Sequence, residues 1–320
     1  MGTTGDRKSI SLVLGSGGAR GLAHIGAIEA LQQAGFRIES IAGSSMGALV
    51  GGMFAAGKLD TYTDWVCTLE QSDVFRLVDW TLSGGGLIRG DRIINRLRQM
   101  VGEVRIEDLE LDFTAVAVDI DHGREIWLSR GPLFDAIRGS IAIPGLFTPH
   151  RYQGRLLVDG GILNPIPVAP TLRCLTELTV VVNVNGRQDR NRGSLDPRNR
   201  AGKKDEARPD ERKAGVEARP DDGDAGMVDR LRRFFDGLID RDQDSGEDPP
   251  GMVAMLMKSL ETMESVITRQ HLAVFQPDIV IEIPRDAAML HEFHRARELI
   301  ELGRTRTIEA VNRARNLSHG

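Results

Sequence analysis

The chain is poor in several things that would each point to a particular class of protein. Among 320 residues there are only two cysteines, Cys67 and Cys174, far apart and in no metal-ligand spacing. They read as buried, reduced thiols suited to a reducing compartment, and a disulfide-stapled scaffold is excluded. Aromatic residues make up 5% of the chain, too few for a stacking surface that binds sugars or single strands. Positive charge is also short: the formal net charge is −5, whereas a nucleic-acid binder is normally basic, so no nucleic-acid partner is expected. No apolar run is long enough to span a bilayer. The first ten residues, MGTTGDRKSI, lack the apolar core of a signal peptide, and Asp6 breaks the myristoylation pattern. These absences set the expectation of a cytoplasmic protein that meets lipid, if at all, peripherally from the aqueous side.

What the chain does have is a 41% hydrophobic fraction, enough for a sizeable core, and 36 glycines, suited to tight turns between packed layers. Apolar periodicity gives short buried strands over 9–14, 38–42, 113–119, 124–128, 155–158, 178–184 and 278–283. Helices are expected over 22–34, from the turn at 43–47 to about 57, and over 64–78, 91–101, 133–140, 252–272 and 287–316, the last with a break near Gly303. Strand, loop, helix, strand, loop, helix in the first sixty residues favours a mainly parallel sheet with helices on both faces, a three-layer α/β/α fold.

Between 187 and 250 the composition shifts to Arg, Asp, Glu, Gly and Pro with few large apolar residues. Such a stretch cannot bury enough surface to offset ordering entropy, so it reads as a largely disordered insertion in one domain built from 8–186 and 251–316. Within it Val228, Leu231, Phe234, Phe235, Leu238 and Ile239 lie at helical spacing. A helix over 228–241 would either dock on the domain or act as a lid or membrane contact.

Two glycine motifs carry chemistry. In Gly43-Ser44-Ser45-Met46-Gly47 a serine stands between a short apolar strand and a helix. A nucleophile projecting from so sharp a turn crowds the positions two before and two after it, which only glycine fills easily. Gly15-Ser16-Gly17-Gly18-Ala19-Arg20-Gly21 also runs from strand to helix. It partly fits a dinucleotide fingerprint, with Glu39 at a suitable distance, but Arg20 occupies the third glycine position. Its other reading is an oxyanion hole in which backbone N–H groups of Gly17 and Gly18 point at one anionic oxygen. Parallel neighbouring strands would bring both loops to one sheet edge, and there they cooperate as a hydrolase. For the base, a late histidine (His271, His291 or His294) and Asp159 of Asp159-Gly160-Gly161 both remain open.

Taken together, the glycine loop, the serine turn, Ser140-Ile141-Ala142-Ile143-Pro144-Gly145 and Asp159-Gly160-Gly161 resemble the patatin-like phospholipase family, in particular its compact bacterial members. The resemblance runs over about 9–185 and resumes over 252–311. It implies a Ser45–Asp159 dyad, an oxyanion hole from Gly17, Gly18 and Ala19, and a bracing role for Arg20. Gly15, Gly21, Gly43, Gly47, Pro144, Gly160 and Gly161 would support the motifs. It also implies lipid or acyl-ester substrates, an acyl-enzyme on Ser45, and no metal or cofactor.

Overall fold

The computed structural model describes residues 8–77, 79, 86–188 and 252–317. The expected insertion and its helix over 228–241 therefore lie, apart from residues 187 and 188, outside the described residues. The chain divides into two compact units, Met1–Asp189 with Leu260–Gly320, and Arg190–Ser259. Of the second unit only residues 252–259 are described, as the opening turns of a helix. All the described strands belong to the first unit.

The strands are β1 (Ser9–Leu14), β2 (Arg37–Ser44), β3 (Gly86–Ile88), β4 (Asp112–Asp119), β5 (Arg124–Leu128), β6 (Gly145–Phe147), β7 (His150–Tyr152), β8 (Arg155–Asp159), β9 (Leu178–Gly186) and β10 (Ile279–Pro284). The helices among the described residues are α1 (Ala23–Gln33), α2 (Met46–Ala55), α3 (Leu59–Val66), α4 (Gln71–Leu77), α5 (Asp91–Val101), α6 (Leu133–Ser140), α7 (Met252–Phe275) and α8 (Ala296–Leu317). Eight strands form one sheet in the order β10-β9-β1-β2-β4-β8-β7, with β5 also on β4. From β10 to β4 every pairing is parallel, while β5, β8 and β7 are antiparallel. The central strands carry near-continuous apolar runs such as Val180-Val181-Val182 because both faces are covered.

Alternation along β1 and β9 sorts the two faces. Ile10, Leu12, Leu14, Val180, Val182 and Val184 join the large core that holds α1, α2, α6 and α8. Val13 and Val181 point the other way, onto Ile166, Val168 and the Leu272 and Phe275 side chains of α7. The result is the expected three-layer α/β/α fold with a mainly parallel sheet.

Some elements differ from expectation. The helix expected over 64–78 is two, α3 and α4. The Glu70 N–H donates to Asp73 Oδ2 at 3.1 Å, a capping contact that starts a fresh helix. The last helix begins only at Ala296 and runs through Gly303 without a break. Glycine is needed there for close approach: a Cβ on Gly303 would lie 2.0 Å from the Ala23 carbonyl oxygen, and one on Gly26 lies 1.9 Å from that of Ile300. The two helices thus cross through backbone contact. The short strands β3, β6 and β7 escaped the sequence reading, having too few residues for a period. Both cysteines are free, but partly rather than fully buried. Among the described residues no helix is long and apolar enough to cross a membrane.

Candidate active site

Ser45 stands where β2 turns into α2. Its backbone takes φ 55 and ψ −124, a conformation L-residues rarely adopt. Such strain costs on the order of 1–3 kcal/mol and persists only where the surroundings impose it. Here they do. A Cβ on Gly43 would meet the Gly47 carbonyl oxygen at 2.4 Å, and one on Gly47 would meet the Leu14 oxygen at 2.1 Å. The Ser45 N–H donates to Ser140 Oγ at 2.9 Å, and Ser140 Oγ donates to the Val116 carbonyl at 2.6 Å, tying the turn to α6 and β4.

Sheet register brings Asp159 to the same point. β2 pairs with 112–116 of β4, ending at Ser44 opposite Val116. β8 pairs with 117–119, ending at Asp159 opposite Ala117. Because β5 occupies one edge of β4 across 115–119, β2 and β8 share the other edge. They run toward each other and meet between Val116 and Ala117. Gly160 permits the meeting, since a Cβ there would lie 2.2 Å from the Val116 oxygen and 2.4 Å from Ser44 Oγ. The Asp159 N–H donates to Ala142 at 3.0 Å, so the segment around Pro144 closes over this corner.

The Asp159 carboxyl is buried. Oδ1 accepts the Gly161 N–H at 2.7 Å, and Oδ2 has no partner at hydrogen-bonding geometry. Burial, and then the Glu264 carboxylate, push its pKa up to about 7, while the Ser45 hydroxyl and the Gly161 N–H pull it the other way.

The glycine loop arrives on the strand next to β2, with Leu14 opposite Gly43. Ser16 N–H donates to Pro165 and Ala19 N–H to Leu290, each at 2.9 Å. The Ala19 N–H, one of the three donors expected, is therefore already engaged. Gly21 allows contact with Met46 beside the serine, where a Cβ would fall 2.5 Å from Cγ, and Gly15 does the same against Ile166 at 2.7 Å. Arg20 is buried and braces the loop: Nη1 donates to Arg285 O at 3.0 Å, and Nη2 to Asn185 Oδ1 at 2.8 Å and Glu261 Oε1 at 3.0 Å. From beneath, His24 Nε2 donates to Gly15 O at 2.8 Å, and burial lowers its pKa to about 4, so it stays neutral.

Among the described residues no histidine hydrogen-bonds Ser45 or Asp159. His122 lies on Asp119, His150 on Asp135, and His271 on the Ile166 carbonyl. Glu39, offered for a dinucleotide ribose, sits near the start of β2, at the opposite end of the strand from the glycine loop, and pairs with Arg37.

Sequence reasoning missed three members of this neighbourhood: Ser140 as a brace, Asn185 and Glu264. A signal for Glu264 existed. It lies at i, i+4, i+8 and i+11 with Thr268, Leu272 and Phe275, so it is a carboxylate on the inward face of an amphipathic helix.

A strained serine, a glycine loop on the neighbouring strand and a buried carboxylate, gathered on a three-layer α/β/α scaffold, define a protein of the patatin architecture. Residues 12–172 match the family model described as patatin-like phospholipase. An NTE family protein of Mycobacterium tuberculosis is 39% identical, covering 94% of this chain and 91% of its own length. The lysophospholipase nte1 of Emericella nidulans is 30% identical over 51% of this chain and 11% of its own. Among solved structures, VipD from Legionella pneumophila superposes with a TM-score of 0.42 and 13% identity, over 97% of this chain and 67% of VipD. The chain belongs to the patatin-like phospholipase family, and lipid-ester hydrolysis is the class of activity that membership carries.

Proposed function

We propose that this protein is a serine acyl-ester hydrolase of the phospholipase A or lysophospholipase kind, working through Ser45 and Asp159. The observation that carries the reading is the head-on register of β2 and β8 on β4, which puts the strained serine and the buried carboxyl at one point. Ser45 Oγ attacks the ester carbonyl as its proton passes to Asp159. The resulting oxyanion accepts the Gly17 and Gly18 N–H groups. The bond to the leaving alcohol then breaks, and Asp159 returns the proton to that oxygen. Water attacks the acyl-enzyme in the same way and releases the fatty acid. A base whose pKa lies near neutrality suits both directions of transfer. Asp159 Oδ2 has no hydrogen-bond partner at rest and so is open to the Ser45 hydroxyl, whose bond to such a base tightens in the reacting complex. The lysophospholipase named among the relatives supports a lipid substrate. Leu163, Met263 and Val266 are exposed apolar side chains next in sequence to site residues or one turn away, and they offer a peripheral contact with a lipid surface.

The test is a panel of acyl esters and phospholipids of varied chain length, combined with fluorophosphonate labelling. Ser45→Ala abolishes labelling, and Asp159→Asn lowers kcat by about a thousandfold or more, as loss of a catalytic group does. Labelling elsewhere in the chain, or full activity in Asp159→Asn with loss on replacing one late histidine, would overturn the dyad.

A further inference from the structure

Glu264 lies outside the stretch matched by the family model, on α7, and the reaction steps above make no use of it. It nonetheless touches both walls of the site. One carboxylate oxygen, Oε2, accepts the Ser16 hydroxyl at 3.1 Å and the Asn185 side-chain amide at 3.3 Å. Asn185 in turn donates to the Ser16 carbonyl at 3.0 Å and receives Arg20. The other oxygen, Oε1, faces the acid turn: a Cβ added to Gly161 would lie 2.6 Å from it. Glycine at 161 is therefore what lets this second carboxylate approach. The same Gly161 gives its N–H to Asp159 Oδ1. One turn earlier on α7, Glu261 pairs with Arg20, so the helix is fastened to the glycine loop at two levels.

We propose that Glu264 is a positioning residue of this site: it fastens the glycine loop through Ser16 and Asn185 and lays a second carboxylate against the Asp159–Gly161 turn, which strengthens Asp159 as a base. The inference rests on the reading of Asp159 as the base. A like charge at close range disfavours the ionised form of its neighbour, so Asp159 holds its proton more tightly beside Glu264 than it would alone. Burial and then Glu264 are the two influences that raise the affinity of Asp159 for a proton. Glu264 is itself pushed up to about 7 by burial. Ser16, Arg20 and Asn185 favour its ionised form, and Glu261 opposes it. The acid limb of the rate profile, which belongs to Asp159, is therefore expected to respond to the charge on Glu264.

The experiment uses the full chain, p-nitrophenyl butyrate as a soluble substrate, and kcat/KM measured from pH 5 to 9 for wild type, Glu264→Gln and Glu264→Ala. Glutamine keeps an acceptor for Ser16 but carries no charge. The expected result for Glu264→Gln is an acid limb moved to lower pH by about one unit, the scale of a near like charge. Glu264→Ala shows the same displacement with a further drop in kcat, because Ser16 and Asn185 lose their acceptor, and that further drop is rescued in the glutamine variant. An unmoved limb in Glu264→Gln, with Ser45 still labelled and Asp159→Asn still inactive, overturns the inference and leaves the dyad standing. Full activity in Asp159→Asn overturns the dyad itself, and this inference with it. Should the alanine variant fail to fold, the isosteric glutamine variant alone decides between these outcomes.

Discussion

If Asp159 is the base, as proposed, catalysis and stability make opposite demands on its buried carboxyl. A carboxyl buried beside Glu264 ionises only at about pH 7, against 3.8 for an exposed aspartate. The folded state therefore binds this proton more tightly than the unfolded chain does. The contribution to stability is fully present below the unfolded pKa and is lost as pH rises through about 7. Ionising the group in place costs up to about 4 kcal/mol, since a tenfold change in proton affinity is worth about 1.4 kcal/mol. At the scale of this residue, the kcat/KM for a soluble ester rises through about pH 7, falling tenfold per pH unit on the acid side. Asp159→Asn is inactive yet melts higher than wild type at pH 8, and that advantage disappears below about pH 4. A calorimetric melt of both proteins at the two pH values checks this, and a variant less stable at pH 8 would contradict the burial argument.

Among the elements, glycine does the positioning. Gly43 and Gly47 close the serine turn on β1, and Gly160 lets β8 meet β2, as no residue with a Cβ would allow. Helices α1 and α8 cross through Gly26 and Gly303 by the same means. Replacing Gly26 by alanine forces a methyl onto the Ile300 carbonyl, so the two helices have to part. Overpacking of this kind costs about 1–3 kcal/mol. Urea unfolding should show that loss as a lower midpoint with an unchanged slope. The sequence flagged the glycines of the loops and the serine turn because they cluster in motifs beside short apolar strands. Gly26 and Gly303 carried no such signal, and a lone glycine in a helical pattern reads as a break. Only the crossing partner explains why Gly303 does not interrupt α8.

For the whole molecule, the question is how a protein with no membrane-crossing helix among its described residues reaches lipid. Met263 and Leu163 are exposed large apolar side chains, and Glu264 and Gly161, close to them in sequence, are in contact. Replacing Met263 by aspartate should lower hydrolysis of vesicle phospholipid severalfold more than hydrolysis of a soluble ester. Equal loss on both substrates would place Met263 in the chemistry rather than at the surface. By itself, the sequence determined the layer pattern, the serine turn and the glycine loop, and it narrowed the base to Asp159 or a late histidine. Apolar periodicity and glycine spacing are local properties, and each reports the backbone a few residues away. Tertiary structure decided which groups meet. Head-on pairing along one edge of β4 joins residues 45 and 159, the Leu290 carbonyl takes the Ala19 donor, and α7 brings Glu264 from beyond the charged stretch. Those contacts depend on register and crossing between distant segments, and no local spacing encodes them.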